Sequence, residues 1–372
     1  MPGLIQRKPL PNVQDVVRGL VAVPKKEEEL DSVDYVISTG STLLDLAISG
    51  NRRRGGGIPS GILSEIYGPA GWGKTSLMCE ICSSAQAKGG FAMVGDGERR
   101  LNPDFIKYMG LRISQENLQY PTTVEDLEKL IFDTPETGSG IVDVVGFDGI
   151  ASLISSQEVK TKKVKGEDGE IEEVAIGTKK DKRGSAKAKD LHSLCRRAKD
   201  EISKKNRLVV FTNQVQIKQE EFAMFTPQIY KEKTTGGDAI PFWASLRLRI
   251  GPGRDSHIFK TIKMGGKEIK KTVGIRTSVY VFKSSVDAPY RTAEVPIIFD
   301  YGVDDIRGNL EYIKEMSGSK EYWAVNRNFT TLEEAIKIVE KDNLQDSLKE
   351  ATIDMWMEIE EKFKFERKPK QR

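Results

Sequence analysis

From Val36 to about Ala288, short runs rich in β-branched and aromatic residues alternate with stretches whose apolar positions recur every three or four residues. The first pattern suits strands and the second amphipathic helices, so the alternation predicts an α/β fold, a mostly parallel sheet covered by helices. The strand-like runs are 62–67, 91–95, 141–147, 207–212, 244–250, 274–284 and 293–299, and helical stretches lie near 75–88, 123–133 and 186–204. Gly265-Gly266 separates Phe259–Lys263 from Lys267–Lys271, which predicts a separate hairpin. After Asp305 the spacing turns helical, through Leu310, Ile313, Leu332 and Val339 to Leu348, Ile353 and Ile359.

This pattern divides the chain into an arm at 1–34, a core at 35–304 and a small, mainly helical C-terminal domain at 305–372 whose tail is basic. The arm has apolar helical spacing at Val16, Val17, Leu20 and Val21, then a charge run from Lys25 to Glu29. A segment of that length does not fold alone, so it packs on the core or docks on another subunit.

At 372 residues the chain has room for one large core and one smaller domain. No stretch approaches the ~20 apolar residues of a membrane helix. The first residues mix Lys and Glu without an apolar run, so no secretory signal is expected and the reducing cytoplasm is the default. Three cysteines without framework spacing give little reason to expect disulfides. Cys79 and Cys82 form a C-x-x-C pair, but no second pair or nearby histidine completes a metal site; with Leu77, Met78 and Ile81 they read as the buried face of a helix. A net charge of +3 is too near balance to identify a polyanionic partner.

Gly68-Pro69-Ala70-Gly71-Trp72-Gly73-Lys74-Thr75 satisfies G-x-x-x-x-G-K-[ST] between a predicted strand and a helix beginning at Ser76. Its glycines let backbone N–H groups turn inward on phosphate oxygens, and the helix adds its positive end. Lys74 would reach the β- and γ-phosphates of ATP and Thr75 would ligate magnesium. A metal-supporting carboxylate belongs at the end of a neighbouring apolar strand. Ile141–Asp148 offers Asp148 at its end, with Asp143, inside the run, as the competitor. Asp96-Gly97-Glu98 follows another strand, and Glu98 is the candidate to orient or deprotonate water, against the alternative of a solvated loop acid.

Two long loops interrupt the sheet pattern. Ser156–Arg183 carries eight basic and seven acidic side chains, so bulk charge does not make it a nucleic-acid clamp; a two-residue turn at Asp168-Gly169 would put Lys165 opposite Glu172. Val215–Gly237 interleaves Lys218, Phe222, Phe225, Tyr230, Lys231 and Lys233, a mixture suited to single-stranded DNA, where rings meet bases and ammonium groups meet phosphates.

From about Ile37 to Tyr301 the chain resembles the RecA family of recombinases, bacterial RecA and UvsX-type phage members, on Ile37–Ser41, Glu65–Thr75 and Phe211–Gln214. The resemblance implies a RecA-like P-loop ATPase core that hydrolyses ATP with magnesium, forms head-to-tail helical filaments on single-stranded DNA and pairs it with homologous double-stranded DNA. It also implies loader and single-strand-binding proteins as partners, and a cytoplasmic setting. Residue by residue, it implies that Glu98 activates water, that Asn102 and Phe105 hold the adenine, and that Tyr301 faces the nucleotide. Gln214 would sense the γ-phosphate, and Lys283 would act across the subunit interface. Lys189, Arg196, Phe225 and Thr235-Gly236-Gly237 would contact DNA.

The sequence departs from the family at Ser285, which replaces a second trans-acting lysine, at Pro241, where the family has an interface lysine, and at the basic C-terminus. A ring-forming helicase of the same core type, and a non-catalytic mediator using ATP as a structural ligand, are the alternative readings.

Overall fold

The computed structural model describes residues 35–50, 52–138, 140–155, 161–165, 171–175, 180–217 and 232–367. The expected arm, the Asp168-Gly169 turn, Lys218, Phe222, Phe225, Tyr230, Lys231 and the end of the basic tail lie outside these residues. The chain divides into two compact units, 33–303 and 304 onward.

In chain order the strands are β1 (Val36–Ile37), β2 (Ile58–Pro59), β3 (Leu63–Gly68), β4 (Ala92–Asp96), β5 (Leu118–Gln119), β6 (Val144–Asp148), β7 (Thr161–Lys165), β8 (Ile171–Ala175), β9 (Leu208–Ile217), β10 (Glu232–Thr234), β11 (Leu246–Met264), β12 (Lys267–Ser284), β13 (Thr292–Ile298), β14 (Gly302–Val303), β15 (Tyr322–Trp323) and β16 (Asn328–Phe329). The main sheet runs β14-β13-β12-β11-β3-β9-β6-β4-β5, with β10 joined to β9. From β11 to β5 every pairing is parallel, while β11 through β14 pair antiparallel.

Because side chains alternate along a strand, each central strand feeds two layers. Val94, Val144 and Val210 point with Ile66 and Leu248 toward helices Thr42–Ser49 and Lys74–Ala87. Met93, Val145 and Val209 turn the other way, with Phe147 and Phe211, toward helices Val124–Phe132 and Lys180–Lys204. Cys79 and Cys82 are buried in the first layer beside Met78 and Ile81, as a helix face should be. The unit from 304 onward has its own core, in which Leu310 and Ile313 of helix Asp305–Ser317 meet Ala335, Val339 and Leu348.

Three expectations need correction. The hairpin at Gly265-Gly266 is not separate: β11 and β12 pair from Leu246–Ser284 out to Met264–Lys267, so it is the far end of one ribbon. Pro252, which has no N–H to give the ladder, coincides with a register shift that hides this continuity from the sequence. In β7–β8, Lys165 lies opposite Ile171 and Val164 opposite Glu172, so the register expected from a two-residue turn does not occur. The helix expected from 186 begins at Lys180, since Lys and Arg are good helix formers even in a run that reads as loop.

Glu80, on helix Lys74–Ala87, accepts the Val303 N–H at 2.8 Å. Burial pushes its carboxyl up to about 7 from an ordinary 4.5. The native state therefore holds this proton longer than the unfolded chain, and stability present below the unfolded value is lost as pH rises through the folded one. Glu80→Gln keeps an acceptor and never ionises; urea unfolding should show it gaining on the order of 1–3 kcal/mol over the unsubstituted chain between mildly acidic and mildly alkaline pH.

Candidate functional site

Parallel pairing puts Gly68 opposite Gln214 and Asp96 opposite Asp148, so β3, β4 and β6 finish on one edge of the sheet, level with Gln214 of β9. There the chain curls from Gly68 into helix Lys74–Ala87. Gly73 takes a left-handed φ of 80°, and a Cβ on it would come 2.5 Å from Ile297 Cδ1. Only glycine lets the turn close this tightly while the helix's first N–H groups remain open to an anion.

The resulting cleft has a volume of about 380 Å³. It is lined by Ala70, Gly71, Gly73, Lys74, Thr75 and Ser76 of the loop and helix start, by the polar Glu98, Asp148 and Gln214, and by the apolar Phe105, Ile275, Ile297 and Phe299. Lys74 Nζ donates to the carbonyls of Gly68 (3.0 Å) and Pro69 (2.8 Å), held on the loop's own backbone. Burial lowers its pKa, with the Asp148 and Glu98 charges opposing. Thr75 Oγ1 donates to Asp148 Oδ2 at 2.9 Å, and Thr212 Oγ1 donates to Asp148 Oδ1 at 2.5 Å. Burial raises the Asp148 carboxyl, and these hydroxyl bonds pull it partly back.

Glu98 is held from two sides, by Gln214 Nε2 on Oε1 (3.0 Å) and Arg100 Nη1 on Oε2 (3.2 Å). Its turn is fixed by Asp96, whose carboxylate accepts the Arg100 and Leu101 N–H groups. The competitor Asp143 is at the opposite edge, accepting from Phe91 N–H and Thr137, where it closes a loop. Hydroxyl and carboxylate oxygens are the donor set a hard cation such as magnesium takes, commonly through one or two carboxylates and several waters.

Gln214 is also tied to the chain that returns after residue 231. Thr235 N–H donates to the Gln214 carbonyl at 3.3 Å, Asn213 Nδ2 donates to the Thr235 carbonyl at 2.9 Å, and Thr234 pairs with Val215. Gly236 sits so close to helix Lys180–Lys204 that a Cβ would come 2.7 Å from Leu191 Cδ1. Lys189 and Arg196 of that helix line a second concavity with His192, Ser193, Asp238 and Phe242. The described DNA candidates thus gather around this helix.

Other expected residues stand apart from the cleft lining. Asn102 caps helix Pro103–Tyr108 by accepting the Asp104 N–H. Pro69 and Trp72 belong to the loop but do not line the cleft, and neither does Tyr301, which is half-exposed. Lys283 Nζ donates to the carbonyls of Pro241 (3.0 Å) and Phe242 (2.9 Å) beside a different concavity that Ser285 shares. Burial, reinforced by the Arg247 charge, lowers its pKa. Sequence reasoning missed Arg100, Thr212 and Phe299. Arg100 and Phe299 adjoin motifs already singled out; Thr212 enters through strand adjacency, which no local pattern encodes.

A family model for the RecA N-terminal domain matches residues 18–304. Protein RecA of Synechococcus sp. strain CC9902 is 32% identical over 279 residues, 75% of this chain and 64% of that protein. Protein RecA of Clostridioides difficile strain 630 is 30% identical over 349 residues, covering 89% of this chain and 82% of that protein. Protein RecA of Wigglesworthia glossinidia brevipalpis is 31% identical over 301 residues, 78% of each. The chain spans under two thirds of the length of the Synechococcus relative.

Thr212 Oγ1 also accepts the Gly149 N–H at 2.9 Å, so one buried hydroxyl serves both a carboxylate and a backbone donor. Thr212→Val keeps the shape and strands both partners; chemical denaturation should show a loss of about 1–3 kcal/mol. No loss would mean that the hydroxyl does not hold this corner together.

Proposed function

The chain belongs to the RecA family, and on that premise we propose that it is an ATP-dependent DNA recombinase that assembles on single-stranded DNA and pairs it with a homologous duplex. The observation that carries this reading is the convergence of Lys74, Thr75, Asp148, Glu98 and Gln214 on one cleft, with Gln214 also bonded to the chain returning from the aromatic-basic loop.

In this proposal the loop N–H groups and Lys74 bind the phosphates. Thr75 and Asp148 hold magnesium, which supplies charge neutralisation when bound. Phe105 and Phe299 flank the base. Glu98, kept in place by Arg100 and Gln214, orients and deprotonates the attacking water. Gln214 can donate its side-chain amide either to Glu98 or to a γ-phosphate oxygen. A change of partner would act on the strand that enters residues 218–231 and, through Asn213 and Thr235, on the strand that leaves them. Lys189 and Arg196 would meet DNA phosphates, with Thr235-Gly236-Gly237 giving close backbone approach; Lys218 and Phe225 complete that surface. Lys283 would serve the cleft of an adjacent subunit in a filament; with Ser285 in place of a second lysine, the cross-interface charge would either rest on Lys283 and be weaker, or be made up by another basic residue. The fold has no described helix long and apolar enough to cross a membrane, and a cytoplasmic setting fits this role.

The test is ATP turnover with and without a single-stranded oligonucleotide. The unsubstituted chain should hydrolyse ATP faster with DNA present, and Glu98→Gln should reduce the rate by about 10²–10⁴-fold without abolishing nucleotide binding. Lys283→Ala should reduce DNA-stimulated turnover by about a hundredfold while leaving the isolated subunit's nucleotide affinity intact. Turnover indifferent to DNA, or to Lys283, would contradict the respective assignment.

A further inference from the structure

Beyond the cleft, the most unusual surface is the far end of the β11–β12 ribbon. Every residue from Phe259 to Lys271 is exposed, so this stretch projects with neither face covered. It carries five lysines and one carboxylate, Glu268. Only Lys263 has a carboxylate partner among the described residues, Glu268 at 3.5 Å, and both are too exposed for that pair to hold much charge in check.

The register sorts the two faces. On one, Lys260 lies opposite Lys271, Ile262 opposite Ile269, and Met264 opposite Lys267. Like charges directly opposite one another destabilise a hairpin, so folding gives no reason for Lys260 and Lys271 to face each other. Neither do three exposed apolar side chains between them serve solubility. On the other face Lys270 Nζ stands 4.0 Å above the Phe259 ring, which makes that ring a poor platform for a base.

The ribbon is fastened at its root to the phosphate loop. Thr277 Oγ1 donates to the Trp72 carbonyl at 3.2 Å, and the Trp72 ring meets His257 edge-on at 6.2 Å. His257 is followed along the strand by Phe259, 6.3 Å away. Its direction relative to the cleft is therefore set by side-chain contacts with the loop itself.

We propose that the end of this ribbon, through Lys260, Lys267 and Lys271, is a contact for the phosphate backbone of a DNA duplex. A two-stranded ribbon fits the major groove, whose walls carry phosphates on both sides and whose floor accepts apolar side chains such as Ile262 and Ile269. A single strand would call for accessible stacking rings, which this face lacks. The inference rests on the DNA-binding reading above and adds a duplex-selective surface to it.

The experiment uses the full chain with Lys260, Lys267 and Lys271 all changed to Gln, and a control with all three changed to Arg. Binding to a labelled duplex and to a labelled single strand is followed by anisotropy over a salt series, with magnesium and a slowly hydrolysed ATP analogue. The Gln variant should lose about 0.9 of log-log salt slope per phosphate contact on the duplex, with duplex affinity reduced tenfold or more, while its single-strand affinity stays within twofold. The Arg control should keep the duplex slope. An unchanged duplex slope in the Gln variant overturns the inference and leaves the lysines as guards against edge-to-edge pairing. Equal losses on both DNA forms overturn it as well. Should the unsubstituted chain bind neither form, the recombinase reading fails and this inference with it.

Discussion

Strands paired in parallel must end on the same edge of their sheet, and the cleft exists because β3, β4, β6 and β9 obey that constraint. Each strand brings one group to the edge: the glycine that starts the phosphate loop, the acid that braces the Glu98 turn, the buried Asp148, and Gln214. At that edge β3 gives way to a turn, where a backbone can present N–H groups to a ligand, while β9 runs on past Gln214 to pair with β10. Burial of the flanking layers holds the edge rigid. Neighbouring residues of β6 such as Val144 and Val145 bury into opposite layers of the sheet.

A second buried feature ties the strands across this edge. Glu65, fully buried on β3, accepts from Asn213 Nδ2 on β9 at 2.9 Å and from Arg247 Nε on β11 at 2.6 Å. Arg247 lies 4.3 Å from the Tyr67 ring, so its charge is covered by an aromatic face as well as neutralised. A buried pair of this kind is weak grounds for a stability claim, because desolvation offsets much of the attraction. Its consequence is geometric: three strands are held in one register by one carboxylate. Asn213 joins that carboxylate to Thr235, and Gln214 is the next residue. Arg247 is also paired across the ribbon with Lys283. The cleft and the base of the aromatic-basic loop therefore share one polar network, and Lys283 stands beside it as the strand neighbour of Arg247.

The parts of the molecule written locally were legible in the sequence. Gly68–Thr75 announces itself because the curl requires glycines at fixed spacing, and the strands around it alternate to feed two layers. The choice between Asp148 and Asp143 was legible for a related reason. A charge at the end of an apolar run falls on the open edge, while Asp143, just before the strand, is used at the opposite edge by Thr137 and Phe91. What could not be read depends on adjacency between distant segments. Thr212 reaches Asp148 only because β9 lies beside β6. Phe299 reaches the cleft just past the end of β13, whereas Tyr301, the residue the family resemblance favoured, does not line it. The continuity of the ribbon depends likewise on pairing between distant segments, since β11 passes Pro252 with a shift in register against β12.

The central claim is that the state of the cleft is felt, through Gln214, by the loop proposed to bind DNA. Its most direct test is the affinity of the chain for a labelled single strand, compared between ADP and a slowly hydrolysed ATP analogue, with and without Gln214→Ala. The account predicts that the two nucleotides differ by about 5- to 150-fold in the unsubstituted chain, the usual span of coupling between sites, and that the difference collapses in the variant while nucleotide binding persists. Equal DNA affinity with both nucleotides in the unsubstituted chain, or a difference that survives the loss of Gln214, would contradict it.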